Sequence, residues 1–243
     1  MDEVTSDTFF GGRIRIRQHR NGYRFSIDAV LLAAQAGLRA GETALDLGTG
    51  CGIIPLLLGC RTPDAVIYGI EIQEELAQMA LANVRDSGME DRIHILFGDM
   101  KDLRHGMVSG PVNLVVSNPP YRKISSGRMN PHMQRAVARH EIRANLADVT
   151  ETARRMLKRA GRFVTIYPAE RLAELFAQMQ NSGIEPKYLR AVYSGWNTGA
   201  KLIITEGVKG GRPGMKIGSP LVIYREDGSY TEEVSRMFSH DAG

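Results

Sequence analysis

The element order predicts an α/β protein built on a doubly wound, mostly parallel sheet that ends in an antiparallel hairpin. Three observations predict it. From Thr43 onward, strand-length apolar runs alternate with segments of helical period, the pattern of parallel strands joined by crossover helices. The first run breaks into Gly48-Thr49-Gly50-Cys51-Gly52 ahead of an apolar helix, the kind of turn at which such sheets take a ligand. The last three runs follow one another with no helical segment between them, which favours antiparallel pairing.

Taken in order, residues 1–9 read as a loose terminus. Arg13-Ile14-Arg15-Ile16-Arg17 alternates with period two, a half-exposed strand, and Asn21-Gly22 is a hairpin-turn signal, so a small N-terminal ribbon is predicted. Ser26 is placed to cap a helix over Ile27–Leu38 with Asp28 in its first turn. That helix is almost wholly apolar and is predicted to lie buried on the sheet. Strands are predicted near 43–47, 66–71, 92–97, 112–117, 161–167, 187–193, 201–208 and 219–224, and further helices near 53–60, 73–87, 145–159 and 168–181. Residues 1–40 then form a ribbon and helix packed on a core domain of 41–243. Residues 122–143 have no clear period and are rich in Arg, Ser, Gly, Asn and His. A structureless segment of that length inside a compact domain reads as a binding loop.

Composition narrows the function. With 243 residues, 43% hydrophobic and 24% charged, the chain has the balance of a globular protein. No apolar run approaches membrane-spanning length and the N-terminus lacks a signal-peptide pattern, so a cytoplasmic location is expected, with no membrane association. Cys51 and Cys60 are too few for a disulfide framework and read as small buried hydrophobes. The six histidines show no ligand spacing, and no metal is predicted. No obligate protein partner is evident. Net charge is only +4, but basic residues cluster at Arg13–Arg24, at Arg122–Arg143 and at Arg154–Arg162, which favours a phosphate-bearing partner.

The glycine turn and two acids define a nucleoside site. Gly48, Gly50 and Gly52 allow a sharp turn and let a ligand lie against backbone at a helix N-terminus. Glu71 ends the second strand, 23 residues after Gly48, where an acid can accept from both hydroxyls of a ribose. The spacing is GxGxG rather than the GxGxxG of dinucleotide sites, and Asp46 precedes it. A carboxylate there repels a pyrophosphate and suits a sulfonium and an ammonium group, so S-adenosyl-L-methionine is favoured over NAD. Asp99 follows the third strand, where it accepts from an adenine amino group or serves as an ordinary turn cap. The fourth strand runs into Asn118-Pro119-Pro120-Tyr121. Prolines hold this exit extended, leaving the Asn118 side chain and the Pro119 carbonyl as rigid acceptors with an aromatic ring beside them.

Asp46-Leu47-Gly48-Thr49-Gly50-Cys51-Gly52, Glu71, Asp99 and Asn118-Pro119-Pro120-Tyr121 resemble, in that order, motifs I to IV of the amino-methylating class I methyltransferases. Tyr23 to Ala33 resembles motif X of the bacterial valine-tRNA adenine N6-methyltransferases, which act at nucleotide 37, and the likeness runs from about Phe10 to Tyr224. The resemblance implies a seven-stranded Rossmann-like sheet and S-adenosyl-L-methionine-dependent methylation of adenine N6 in tRNA. Asn-Pro-Pro-Tyr is shared with other amino-methylating enzymes, so a glutamine N5-methyltransferase of release factors is the alternative. It also implies catalytic roles for Asn118, Pro119 and Tyr121, the last holding the face of the target base. Cofactor contacts fall on Asp46, Gly48, Gly50, Gly52, Glu71, Asp99 and Asn118, and Arg122, Lys123, Arg128 and Arg139 contact substrate phosphates. Phe25 and Asp28 either line the cofactor's methionine end or cap the helix and fill the core. Trp196, in a turn between late strands, is expected to pack in the core, with substrate stacking as its other role.

Overall fold

The computed structural model describes residues 4–19, 27–119 and 145–239. The N-terminal ribbon pairs β1 (Val4–Phe9) with β2 (Ile14–His19), Phe9 lying opposite Ile14. Residues 4–9 are therefore a strand and not a loose terminus. The hairpin closes at Phe10-Gly11-Gly12, whose φ values of 53, 64 and 89° are all left-handed; two glycines make that turn accessible. The expected Asn21-Gly22 turn and the Ser26 cap lie outside the described residues. Ile14 and Ile16 are fully buried while Arg13, Arg15 and Arg17 face solvent, as period two demands.

Helix α1 (Ile27–Gln35) leads to the main sheet. It stops three residues short of the expected end, ahead of the left-handed Gly37. The sheet contains β3 (Thr43–Leu47), β4 (Val66–Glu71), β5 (Ile93–Phe97), β6 (Val112–Ser117), β7 (Leu157–Pro168), β8 (Ile184–Tyr193), β9 (Ala200–Lys209) and two-residue strands β10 (Lys216–Ile217) and β11 (Leu221–Val222). Its order is β10-β8-β9-β7-β6-β3-β4-β5, with β11 also on β8. Strands β5, β4, β3, β6 and β7 are mutually parallel; β9 runs antiparallel between β7 and β8. The seven long strands form the expected sheet, and the strand foreseen at 219–224 shrinks to Leu221–Val222.

Helices α2 (Ile53–Arg61) and α3 (Glu74–Asp86) cover one face together with α1 and the ribbon. Helices α4 (Leu146–Met156) and α5 (Leu172–Asn181) cover the other. A short helix, α6 (Glu232–Met237), packs its Val234 and Met237 into the α1–α2 side. Asn145 and Asp148 form a reciprocal capping box that starts α4. It ends at Met156 because Leu157 already pairs with Val112, after which residues 158–161 form a bulge in β7 before Arg162 takes up the register with β6 at Leu114. A single 3-10 turn, Ala169–Arg171, precedes α5 and delays its start to Leu172. Cys51 and Cys60 are free and buried, as expected. Among the described residues, no helix is long and apolar enough to cross a membrane.

Candidate active site

All predicted site positions that fall within the described residues lie along the carboxyl edge of the parallel strands. Leu47 pairs with Ile70, Glu71 with Phe97, and Asp46 with Val116, so the glycine turn, Glu71, Asp99 and Asn118 stand side by side. The chain turns from β3 toward β4 and β5, then crosses back to β6 on the other flank of β3. The crevice between the β3 and β6 exits is thus the point where strand order reverses, the usual ligand position in such sheets. Helix α1 reaches the same edge with its first residues. Its other end is at the opposite edge, where the Ala36 and Gly37 carbonyls accept from Arg162 at 3.1 and 2.9 Å. Asp28 therefore sits at the site end, half-buried.

The glycine turn is held open by backbone and by Glu71. The N–H groups of Gly48 and Thr49 both donate to the Ile70 carbonyl at 3.0 Å. Gly50 N–H donates to Glu71 Oε2 and Gln73 N–H to Glu71 Oε1, each at 2.9 Å. Each oxygen keeps a second lone pair for a hydroxyl donor. Gly48, Gly50 and Gly52 have φ of 77, 56 and 84°, and a Cβ on Gly52 would stand 3.1 Å from that of Ala80. Nothing lies within 4 Å of where a Gly48 Cβ would be, so its backbone borders open space.

Asp46 is fully buried and neither carboxylate oxygen has a hydrogen-bond partner; the Thr49 hydroxyl beside it is likewise buried and unpaired. Burial pushes the Asp46 carboxyl up to about 7, the nearby Glu71 charge adds to this, and the Thr49 hydroxyl offsets only part of it. Its approach falls short of hydrogen-bond geometry. Unsatisfied buried carboxylates are costly, and a cation or a donor at the mouth of the glycine turn would relieve that cost. The residues present thus fit a cofactor that carries positive charge and a ribose.

Buried hydroxyls fix the other wall. Ser117 Oγ donates to the Leu47 carbonyl at 2.9 Å, and Thr165 Oγ1 donates to the Ser117 carbonyl at 2.8 Å. The exit of β6 is pinned to its neighbours on both sides, which positions the half-buried Asn118 and the buried Pro119. Asn83 has a similar role on the cofactor side. Fully buried on α3, it accepts from Arg17 N–H at 2.9 Å and donates to the carbonyls of Arg17 and Cys51 at 3.1 and 2.9 Å, tying the ribbon to the glycine turn. Its only sequence signal is an amide in the buried stripe of Leu76, Ala77, Ala80 and Val84.

Asp99 caps the turn Met100–Asp102, accepting from Lys101 N–H at 2.9 Å. Phe97, 61% exposed and paired with Glu71, adds an apolar ring to the edge. Phe25, Tyr121, Arg122, Lys123, Arg128 and Arg139 lie outside the described residues. Trp196 contradicts its expected core position: it is 70% exposed. The third basic cluster is also dispersed. Arg162 pairs with Glu42 at 2.9 Å and Glu206 at 3.4 Å, and Arg155 donates to the carbonyls of Met100, Lys101 and Leu103. Lys158 and Arg159 are exposed, but they leave the sheet beside Val112, at the edge opposite the glycine turn.

The chain is similar to known proteins in sequence and in fold. A methyltransferase-domain model matches residues 38–207. A tRNA1(Val) (adenine(37)-N6)-methyltransferase of Porphyromonas gingivalis is 39% identical over 178 residues, 71% of this chain and 69% of the relative. The protein of that name in Actinobacillus pleuropneumoniae is 29% identical over 215 residues, 88% of both chains. Among solved structures, a predicted O-methyltransferase, Atu636 from Agrobacterium tumefaciens, is similar with a TM-score of 0.69 at 20% identity, covering 86% of this chain and 94% of that one. A methyltransferase from Pyrococcus furiosus gives 0.57 at 18% identity, over 81% and 89%.

Proposed function

The chain belongs to the methyltransferase-domain family, and from that premise we propose that it methylates N6 of an adenine in tRNA, with S-adenosyl-L-methionine as donor. Relatives named for adenine 37 of tRNA1(Val) support that nucleotide as the target. The observation that carries the reading is the unpaired, buried Asp46 carboxylate at the glycine turn, one strand away from the pinned Asn118 exit. When bound, the cofactor supplies an electrophilic methyl group on a cationic sulfur.

The protein's part is to bind and to position. Asp46 in its charged form offsets the cofactor's positive charge, and Glu71 offers acceptors to the ribose hydroxyls. Asp99 keeps acceptor capacity for an adenine amino group beside its capping bond, and Asp28 borders the methionine end with Phe25. An exocyclic amino nitrogen is a weak nucleophile because its lone pair is delocalised into the ring. Acceptors on its two hydrogens, the Asn118 side-chain oxygen and the Pro119 carbonyl, favour the pyramidal geometry and offset the charge that develops on attack. The N–H proton leaves to water or a weak acceptor, so no strong base is needed. Tyr121 stacks on the target base, a contact worth roughly 1–3 kcal/mol that offsets unstacking from the loop. Arg122, Lys123, Arg128 and Arg139 contact phosphates, and such an enzyme works in the cytoplasm.

The test is incubation with radiolabelled S-adenosyl-L-methionine and either bulk tRNA or a release factor, followed by nucleoside mass spectrometry. Label in N6-methyladenosine of valine tRNA is expected. Label confined to the release factor would establish the glutamine reading instead.

A further inference from the structure

The turn that carries Trp196 belongs to the active-site edge, although its residues come from the far side of the sheet. Strand β7 is parallel to β6 and ends at Pro168, which pairs with Leu202 near the start of β9. Tyr193 pairs with Ala200, so the β8–β9 turn, residues 194–199, projects from the same edge as Asn118. Strand β9 is the second from β6 and β8 the third. At about 4.8 Å between neighbouring strands, the turn stands roughly 10–15 Å along the edge from the β6 exit, and because Ser117 is level with Thr205 while the turn begins at Ala200 it also stands roughly 15 Å further out. That is too far for the reacting base and within reach of its neighbours in the chain.

The turn is braced. Thr198 N–H and Thr198 Oγ1 both donate to the Gly195 carbonyl, at 3.2 and 2.8 Å, and Gly195 N–H donates back to Thr198 Oγ1 at 3.2 Å. Tyr224 N–H donates to the Ser194 carbonyl at 3.0 Å, which joins the turn to an exposed aromatic shelf. Tyr224 stacks on Tyr230 at 5.4 Å, Tyr230 on Phe238 at 5.2 Å, and Phe238 on the buried Phe9 at 6.1 Å. Lys201 and Arg225 are exposed beside it; of the exposed acids on the same hairpin, Glu226 and Asp227, the latter is engaged by Ser229 at 2.6 Å. With two exposed cations and two exposed acids around it the patch carries no net charge, and it is the large apolar ring held out on a stiff turn that matches how proteins present stacking platforms to single-stranded nucleic acid.

We propose that Trp196 stacks on an unpaired nucleotide flanking the methylated adenine, a second anchor that holds the tRNA loop while the target base is turned into the site. The proposal rests on the tRNA reading above. Trp196 is the only tryptophan in the chain, so intrinsic fluorescence of the unaltered protein reports on it directly. Titration with an unmodified valine tRNA transcript is expected to give saturable quenching. Trp196→Ala is expected to raise KM for that tRNA about 5–150-fold, the equivalent of roughly 1–3 kcal/mol of lost stacking, with kcat and cofactor affinity within twofold, and Trp196→Phe to recover most of the loss. A protein that methylates tRNA with unchanged fluorescence, or whose Trp196→Ala variant keeps its KM, overturns this inference alone. A protein that leaves tRNA unlabelled overturns the tRNA reading and this one with it.

Discussion

Asp46 shows how one residue sets a conflict between folding and binding. Its carboxyl titrates near 7 in the folded protein, above the ordinary value of 3.8, so the native state holds a proton that the unfolded chain has released. The stability it allows is complete below about pH 4, declines as pH rises toward 7, and stays low above that. Asp46→Asn is expected to raise the Tm of the cofactor-free protein at pH 8, recovering up to roughly 4 kcal/mol, and to leave it nearly unchanged at pH 4; differential scanning calorimetry at the two pH values checks this. Cofactor affinity runs the other way. It is expected to rise with pH up to about 7 and level off, and the Asn variant to lose this dependence along with about 10–100-fold in affinity by calorimetric titration. Asn118 has the opposite profile. Asn118→Ala is expected to lower kcat about 100–1000-fold, the usual cost of losing one preorganised polar group, while Kd for S-adenosyl-L-methionine stays within a few-fold. An unchanged kcat would remove Asn118 from the chemistry.

At the scale of elements, the site depends on ties between segments. Asn83→Ala strips partners from Arg17 N–H and from the carbonyls of Arg17 and Cys51, leaving the buried Cys51 carbonyl and the part-buried Arg17 backbone unpaired. A loss of about 3 kcal/mol is expected in urea unfolding, with weaker cofactor binding because the glycine turn loses its brace. The long strands and the glycine turn were legible in the sequence because their signals are local: apolar runs of strand length and glycines at a strand exit. The ties were not. The hydroxyls of Ser117 and Thr165 gain their meaning only once β3, β6 and β7 are known to be neighbours. The strand Val4–Phe9 was missed because Val-Thr-Ser-Asp-Thr-Phe has no period-two contrast; its partner β2 supplies the order. Trp196 was misplaced by its residue type, although Ser-Gly before it and Thr-Gly after it already mark a turn.

At the scale of the molecule, charge clusters that look equivalent along the chain are separated by the sheet. Lys158 and Arg159 leave from the edge opposite the glycine turn, so Lys158→Glu with Arg159→Glu is expected to change KM for tRNA by less than twofold. Arg128→Glu with Arg139→Glu, in the segment that follows the Asn118 exit, is expected to raise it at least tenfold and to flatten its dependence on salt. Steady-state kinetics at two ionic strengths distinguish the pairs, and equal effects would show that tRNA spans both edges.

The order of strands also divides the site by position along the chain. Everything assigned to the donor alone, from Phe25 to Asp99, precedes β6, whereas Asn118, assigned to donor and acceptor alike, the loop that follows it and the Trp196 turn all come after. On the proposed assignment, donor and acceptor recognition are consecutive passages of one coding sequence that meet at Asn118. A single crossover between residues 100 and 112 would exchange the acceptor while keeping the donor, a route by which one methyl-transfer scaffold can acquire new substrates without relearning how to hold its reagent.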